Sequence, residues 1–170
     1  MLKTVLLILS FVMILVGCGN DDTNEYNGKP GITGYVMDKK EQRILVVSQE
    51  VKDFSESGGT KEFYDAVWAN EAPNDVMVGE QVSVWFKGEV ETSYPGQTSV
   101  GKLEVKTSYT PEDATLSDAE ALNKALNQNE VGNEILTVQS ISYDAKKDEW
   151  SISLKNTNNY KEYKIQIEEK

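Results

Sequence analysis

Hydrophobic positions follow four regimes along the chain. Val5–Val16 is apolar throughout except for Ser10. Gly19–Pro30 has no aliphatic residue and one aromatic, Tyr26. From residue 31 to 108, short β-branched and aromatic runs recur between turn residues, the signature of successive strands. Beyond them the spacing turns helical for one segment and then returns to alternation.

In the third regime, "GITGYVMD" (Gly31–Asp38) and "RILVVS" (Arg43–Ser48) predict a hairpin joined by "KKEQ". "EFYDAVWAN" (Glu62–Asn70) predicts a third strand after the Gly58-Gly59 break, and "EAPND" a turn. Gly79–Glu91 predicts a fourth strand with Val82, Val84 and Phe86 on one face and Trp85 on the other. "YPGQ" offers Pro and Gly at the two central positions of a type II turn. Thr98–Ser108 predicts the fifth strand. Closure removes the edges of so short a β domain, so the expected fold is a small five-stranded OB-like barrel over residues 31–108.

A linker at 109–116 precedes Ser117-Asp118-Ala119-Glu120, a capping box. A helix is expected over Asp118–Gln128, with Ala119, Leu122, Ala125 and Leu126 on one face. Three strands should follow, at Glu134–Tyr143, Glu149–Lys155 and Tyr160–Glu168. The fold class is thus mainly β with one helix: an OB-like barrel, then an α-β-β-β unit over 117–170.

The N-terminus changes the picture. Lys3 and the twelve-residue apolar run form a signal-peptide pattern. The run is too short for a spanning helix, which needs about 20 apolar residues. Leu15-Val16-Gly17-Cys18 resembles the bacterial lipobox. The resemblance implies cleavage between Gly17 and Cys18, a diacylglyceryl thioether on Cys18 and a lipid bilayer as partner. Residues 1–17 would be the leader and 18–30 a lipidated Cys with a flexible spacer. The protein would sit on the outer face of the cell membrane, anchored by two acyl chains, palmitate-like in kind.

The 170-residue chain carries 17 basic and 28 acidic side chains, a formal charge of −11. A nucleic-acid partner is therefore not expected, because phosphate is bound through Lys and Arg. There is no histidine and only one cysteine. No imidazole base, thiol nucleophile or Cys/His zinc site can be assembled, and no cofactor or metal is expected. Ser99 and Lys102 match a Ser-x-x-Lys spacing, but on a regular strand they point to opposite faces. Glu89 and Glu91 would share a strand face about 6.6 Å apart. That spacing approaches the paired acids of glycosidases. Asp144, Asp148 and Glu149 read as a charged turn rather than a Ca²⁺ loop.

Aromatic side chains carry the candidate site. Tyr64, Trp68, Trp85 and Tyr94 would form a surface platform for a sugar or peptide, with Arg43 and Glu91 at its rim. The same rings would alternatively pack the barrel against the C-terminal unit, the commoner role for large aromatics.

"ITGYVMDKKEQRILVVS", "YDAVW" and "VGEQVSVWFKGEVETSYPGQTSVGKLEV" resemble the YobA-like lipoproteins of Gram-positive bacilli, an uncharacterised family, over about residues 31–107. The resemblance implies a Gram-positive envelope lipoprotein and no particular activity. The C-terminal unit is similar to PepSY-type domains in topology alone. The expected role is a non-catalytic extracytoplasmic binding module for an envelope protein or wall component. The alternatives are a regulator, inhibitor or chaperone of an envelope enzyme, and a carboxylate-dependent wall hydrolase acting through Glu89 or Glu91.

Overall fold

The computed structural model describes residues 26, 28–128, 132 and 134–169. Gly17, Cys18, the apolar run and most of the spacer lie outside the described residues.

Five strands form a closed barrel: β1 (Ile32–Lys40), β2 (Arg43–Lys52), β3 (Phe63–Asn70), β4 (Gln81–Glu91) and β5 (Gly96–Val105). The order around the barrel is β1-β2-β3-β5-β4, with β4 returning to β1. All pairings are antiparallel except β3–β5. The barrel is OB-like, as alternation along the sequence predicts.

Its interior is filled by Ile32, Val36, Ile44, Val46, Val67, Ala69, Val82 and Val84. The expected turn after β3 does more than reverse the chain. Ala72 and Val76 are buried from it into the same core, so the segment contributes to the barrel interior.

Expectation and structure part at "YPGQ". The Tyr94–Pro95 peptide is cis, and Gly96 lacks the positive φ that a type II turn needs at its third position. Gly96 already belongs to β5, paired with Val67.

The outer face of β2 is as apolar as its inner face. Leu45 and Val47 point outward and are buried, with Met37 and Ala66 beside them. What covers them is the C-terminal unit: α1 (Asp118–Leu126) and the sheet β6 (Leu136–Asp144), β7 (Glu149–Asn156) and β8 (Glu162–Glu168), ordered β6-β7-β8. Trp150, Ile152 and Leu154 alternate inward along β7, and Tyr163, Ile165 and Ile167 along β8. With Ala121, Leu122 and Ala125 of α1 they join the outward residues of the barrel in one continuous core.

Polar contacts fix the register of the two layers. Buried Thr137 donates its hydroxyl to the Ser48 carbonyl at 2.8 Å. Gln49 Nε2 donates to the Val138 carbonyl at 3.1 Å, and Asn123 Nδ2 to that of Val78 at 2.9 Å. Gly79 completes the join. It has φ +97°, and a Cβ there would collide with the Ala119 carbonyl oxygen, so only glycine lets helix and loop approach.

The capping box forms as the sequence predicts. Ser117 Oγ accepts from the Glu120 amide at 3.3 Å, and Glu120 Oε2 accepts from the Ser117 amide at 2.8 Å. Ser117→Ala should cost about 1 kcal/mol. Urea unfolding checks this, as a lower midpoint with an unchanged slope.

Candidate functional site

The barrel face over β2 and β3, which OB folds commonly use for ligands, is here a packing surface. This disperses the expected platform. Tyr64 is 1% exposed and presents no ring to a ligand. It sits on the outer side of β3 beneath the C-terminal sheet, where Gln139 Nε2 reaches its hydroxyl at 3.4 Å. That hydroxyl donates to Glu62 Oε1 at 2.6 Å, an oxygen that also receives Lys155 Nζ at 3.0 Å. The Tyr64 bond and the Lys155 ammonium hold the Glu62 carboxyl below its usual range. Burial, with Glu62 adding, pushes the Tyr64 phenol up. The cluster is a latch between β3 and β7.

Trp85 lies on the other side of the barrel. Its indole N–H donates to the Gly28 carbonyl at 2.7 Å, and Lys102 Nζ lies 4.6 Å from its ring. Glu89 and Glu91 are exposed at the end of β4, where the β4–β5 register shifts between Lys87 and Glu91. Glu91 stands in register with Gln97, itself the register partner of Trp68.

Ser99 and Lys102 correct the parity argument. An irregularity at Gly101 leaves Ser99 opposite Lys87 and Lys102 opposite Trp85. Both therefore lie on the outer face. Lys102 is instead committed to Trp85 and to Glu104, 2.8 Å away. Among the described residues no cluster of three or more metal-ligating side chains occurs.

Trp68 and Arg43 do come together. Leu45 is the register partner of Trp68, and Arg43 that of Lys40 at the hairpin end. The Arg43 guanidinium and the Lys40 ammonium lie 4.7 and 5.0 Å from the Trp68 ring centre. Arg43 Nη2 donates to Gln97 Oε1 at 3.0 Å, while its Nε is buried without a partner. Beside this stack a cleft of about 740 Å³ opens along the seam between barrel and C-terminal unit. Met37, Leu45, Trp68 and Leu126 are among its apolar lining, and Lys40, Asn123 and Glu134 among its polar residues. Tyr163 and Asn156 donate to Glu134 Oε2 at 2.5 and 2.7 Å. The Tyr163 bond first, then that from Asn156, keeps this carboxyl below its ordinary range. The lining is mixed, polar as much as apolar, and the cleft lies at a boundary between folded units, a common place for a ligand site.

Tyr94 joins a different group. Its ring packs on Phe63, centroids 5.6 Å apart, and Phe63 packs on Phe54 at the same distance. Phe54 and Tyr94 are exposed. Tyr160 ties the loop before β3 to the C-terminal unit by donating to the Glu62 carbonyl at 2.7 Å. Phe54, Phe63 and the cleft residues of α1 escaped sequence reasoning. The aromatic spacing was visible, but which strand extension and which helix end would meet was not.

Fold and site together define a class: an OB-like barrel whose β2–β3 face is packed under an α-β-β-β unit, with a cleft at their seam. Within it, residues 33–105 match the model of a family described as a protein of unknown function (DUF3221). The barrel is thus similar to an uncharacterised domain. No curated protein and no solved structure matches the chain.

Proposed function

We propose that this is a lipid-anchored, non-catalytic binding protein of the outer membrane face, and that its ligand sits in the seam cleft. The Leu15–Cys18 motif and the likeness to YobA-like lipoproteins support the anchor and the envelope location. The cleft beside Trp68 is the observation that carries the binding role. Its volume lies within the range of small-molecule sites, roughly 300–1,000 Å³. Its mixed lining suits an amphiphilic fragment such as a short peptide or sugar-peptide of the wall. The Phe54–Phe63–Tyr94 row, exposed at Phe54 and Tyr94, favours a second reading, in which a protein partner docks there and is regulated. The helix-then-three-strands order, similar to that of PepSY-type domains, agrees with that reading.

A Cys18→Ala secreted form, titrated with a soluble muropeptide digest and with a short-peptide mixture, separates the two. Saturation at 100 times Kd should add about 2.7 kcal/mol of stability. At about 2–4 °C per kcal/mol for a chain of this size, that is a clear rise in Tm. The rise should vanish in Trp68→Ala and persist in Tyr94→Ala. No shift with any probe overturns the cleft reading. A shift lost only in Tyr94→Ala moves the site to the aromatic row.

A further inference from the structure

Residues just before β1 are fastened to the outside of the barrel. Gly31 N–H donates to the Val84 carbonyl at 2.8 Å, extending the β1–β4 ladder by one bond. A Cβ on Gly31 would strike the Phe86 ring. Gly28 is held through its carbonyl by the indole N–H of Trp85. Tyr26 lies over Gly101, where any side chain would meet the phenol ring. Glycine at the β5 irregularity is therefore what makes room for this ring. Lys102, drawn onto Trp85 and paired with Glu104, flanks the groove.

We infer that Tyr26 and residues 28–31 act as a strap fixed across the outer β4–β5 face, which holds that face of the barrel toward the bilayer. The inference rests on the lipid-anchor reading of Cys18. From Cys18 to Tyr26 the chain reaches about 28 Å at full extension, against roughly 40 Å for the whole spacer. The strap thus shortens the tether and sets where it leaves the barrel. In the order β1-β2-β3-β5-β4, strand β2 stands across from the β4–β5 pair. The C-terminal unit packed on β2, and the cleft beside it, therefore face away from the membrane. Trp85 is a clamp on the chain's own leader-proximal segment rather than a ligand-binding ring.

Energy transfer to a headgroup acceptor tests this. The lipidated protein is bound to phosphatidylcholine vesicles carrying an acceptor-labelled lipid. With Cys18 acylated, an introduced cysteine is the sole free thiol. Lys87→Cys places a donor on the outer side of β4, and Lys164→Cys places one on β8. Transfer from position 87 should exceed that from 164 several-fold. The difference should shrink when Trp85→Phe removes the N–H, or when Gly101→Val displaces Tyr26. Protein that floats with the vesicles but transfers equally from both positions overturns the strap and leaves the anchor standing. Protein that does not float overturns the anchor reading, and the orientation with it.

Discussion

Leu122→Ala should lower the unfolding free energy of the whole chain, barrel included, by about 2–5 kcal/mol. Leu122 is fully buried on α1. It belongs to a core drawn from both layers, with Met37, Leu45, Val47 and Ala66 of the barrel and Trp150, Ile152 and Leu154 of β7. Truncation therefore opens a cavity in a core that both layers build. Urea unfolding followed by near-ultraviolet signals and by backbone ellipticity should give one transition, displaced as a unit. A loss below about 1 kcal/mol, or a shift in only one of two transitions, would show that the helix is not an integral wall of a shared core.

The second large effect is acid-linked and centres on Glu169. Its Oε1 accepts from Trp150 Nε1 at 2.6 Å and from the Leu116 amide at 3.1 Å. Its Oε2 accepts from the Thr115 amide at 2.5 Å and the Thr115 hydroxyl at 2.7 Å. Desolvation pushes this carboxyl up, but the bonds from Thr115, Trp150 and Leu116 outweigh it and bring it from 4.5 down to about 2. A carboxyl lowered by folding stabilises the fold fully above its unfolded value. That contribution is lost as pH falls through the folded value. The Glu169 contribution should therefore fade between about pH 4.5 and pH 2. Glu62, Glu120 and Glu134, lowered in the same direction, deepen the acid loss. Glu169→Gln puts an amide N–H₂ among four donors. It should lower Tm at neutral pH and flatten the Tm-against-pH curve in that acid window. A curve parallel to that of the parent would mean that the last residues of the chain do not latch the segment before α1.

Much of the architecture was legible because each local signal agreed with the final fold. Val82, Val84 and Phe86 alternate with outward Ser83, Trp85 and Lys87, as a strand with one solvated face must. Ser117 and Glu120 mark the start of α1 to the residue. Ile44-Leu45-Val46-Val47 held a further message. Four successive apolar residues on a strand need burial on both faces, and the covering layer is the α-β-β-β unit. Taken for a ligand platform, the Tyr64 side of β3 is the underside of that layer.

The rest depends on approaches between segments far apart in sequence. The Gly101 irregularity shifts the side-chain parity of β5, and the cis Tyr94–Pro95 bond replaces the expected turn. Lys155 reaches Glu62 across the two units. The cleft is legible least of all. Trp68 and Leu126 each look like ordinary half-buried apolar positions until the barrel and helix are set side by side.

Barrel and C-terminal unit should open as one cooperative body, with the cleft at their seam. Native-state hydrogen exchange tests this most directly. The slowest amides of β2 and β3 and those of β7 and β8 should open with the same free energy, and both sets should fall together in Leu122→Ala. Two separate levels, with the barrel amides unmoved by Leu122→Ala, would contradict it and make the cleft a gap between independent parts.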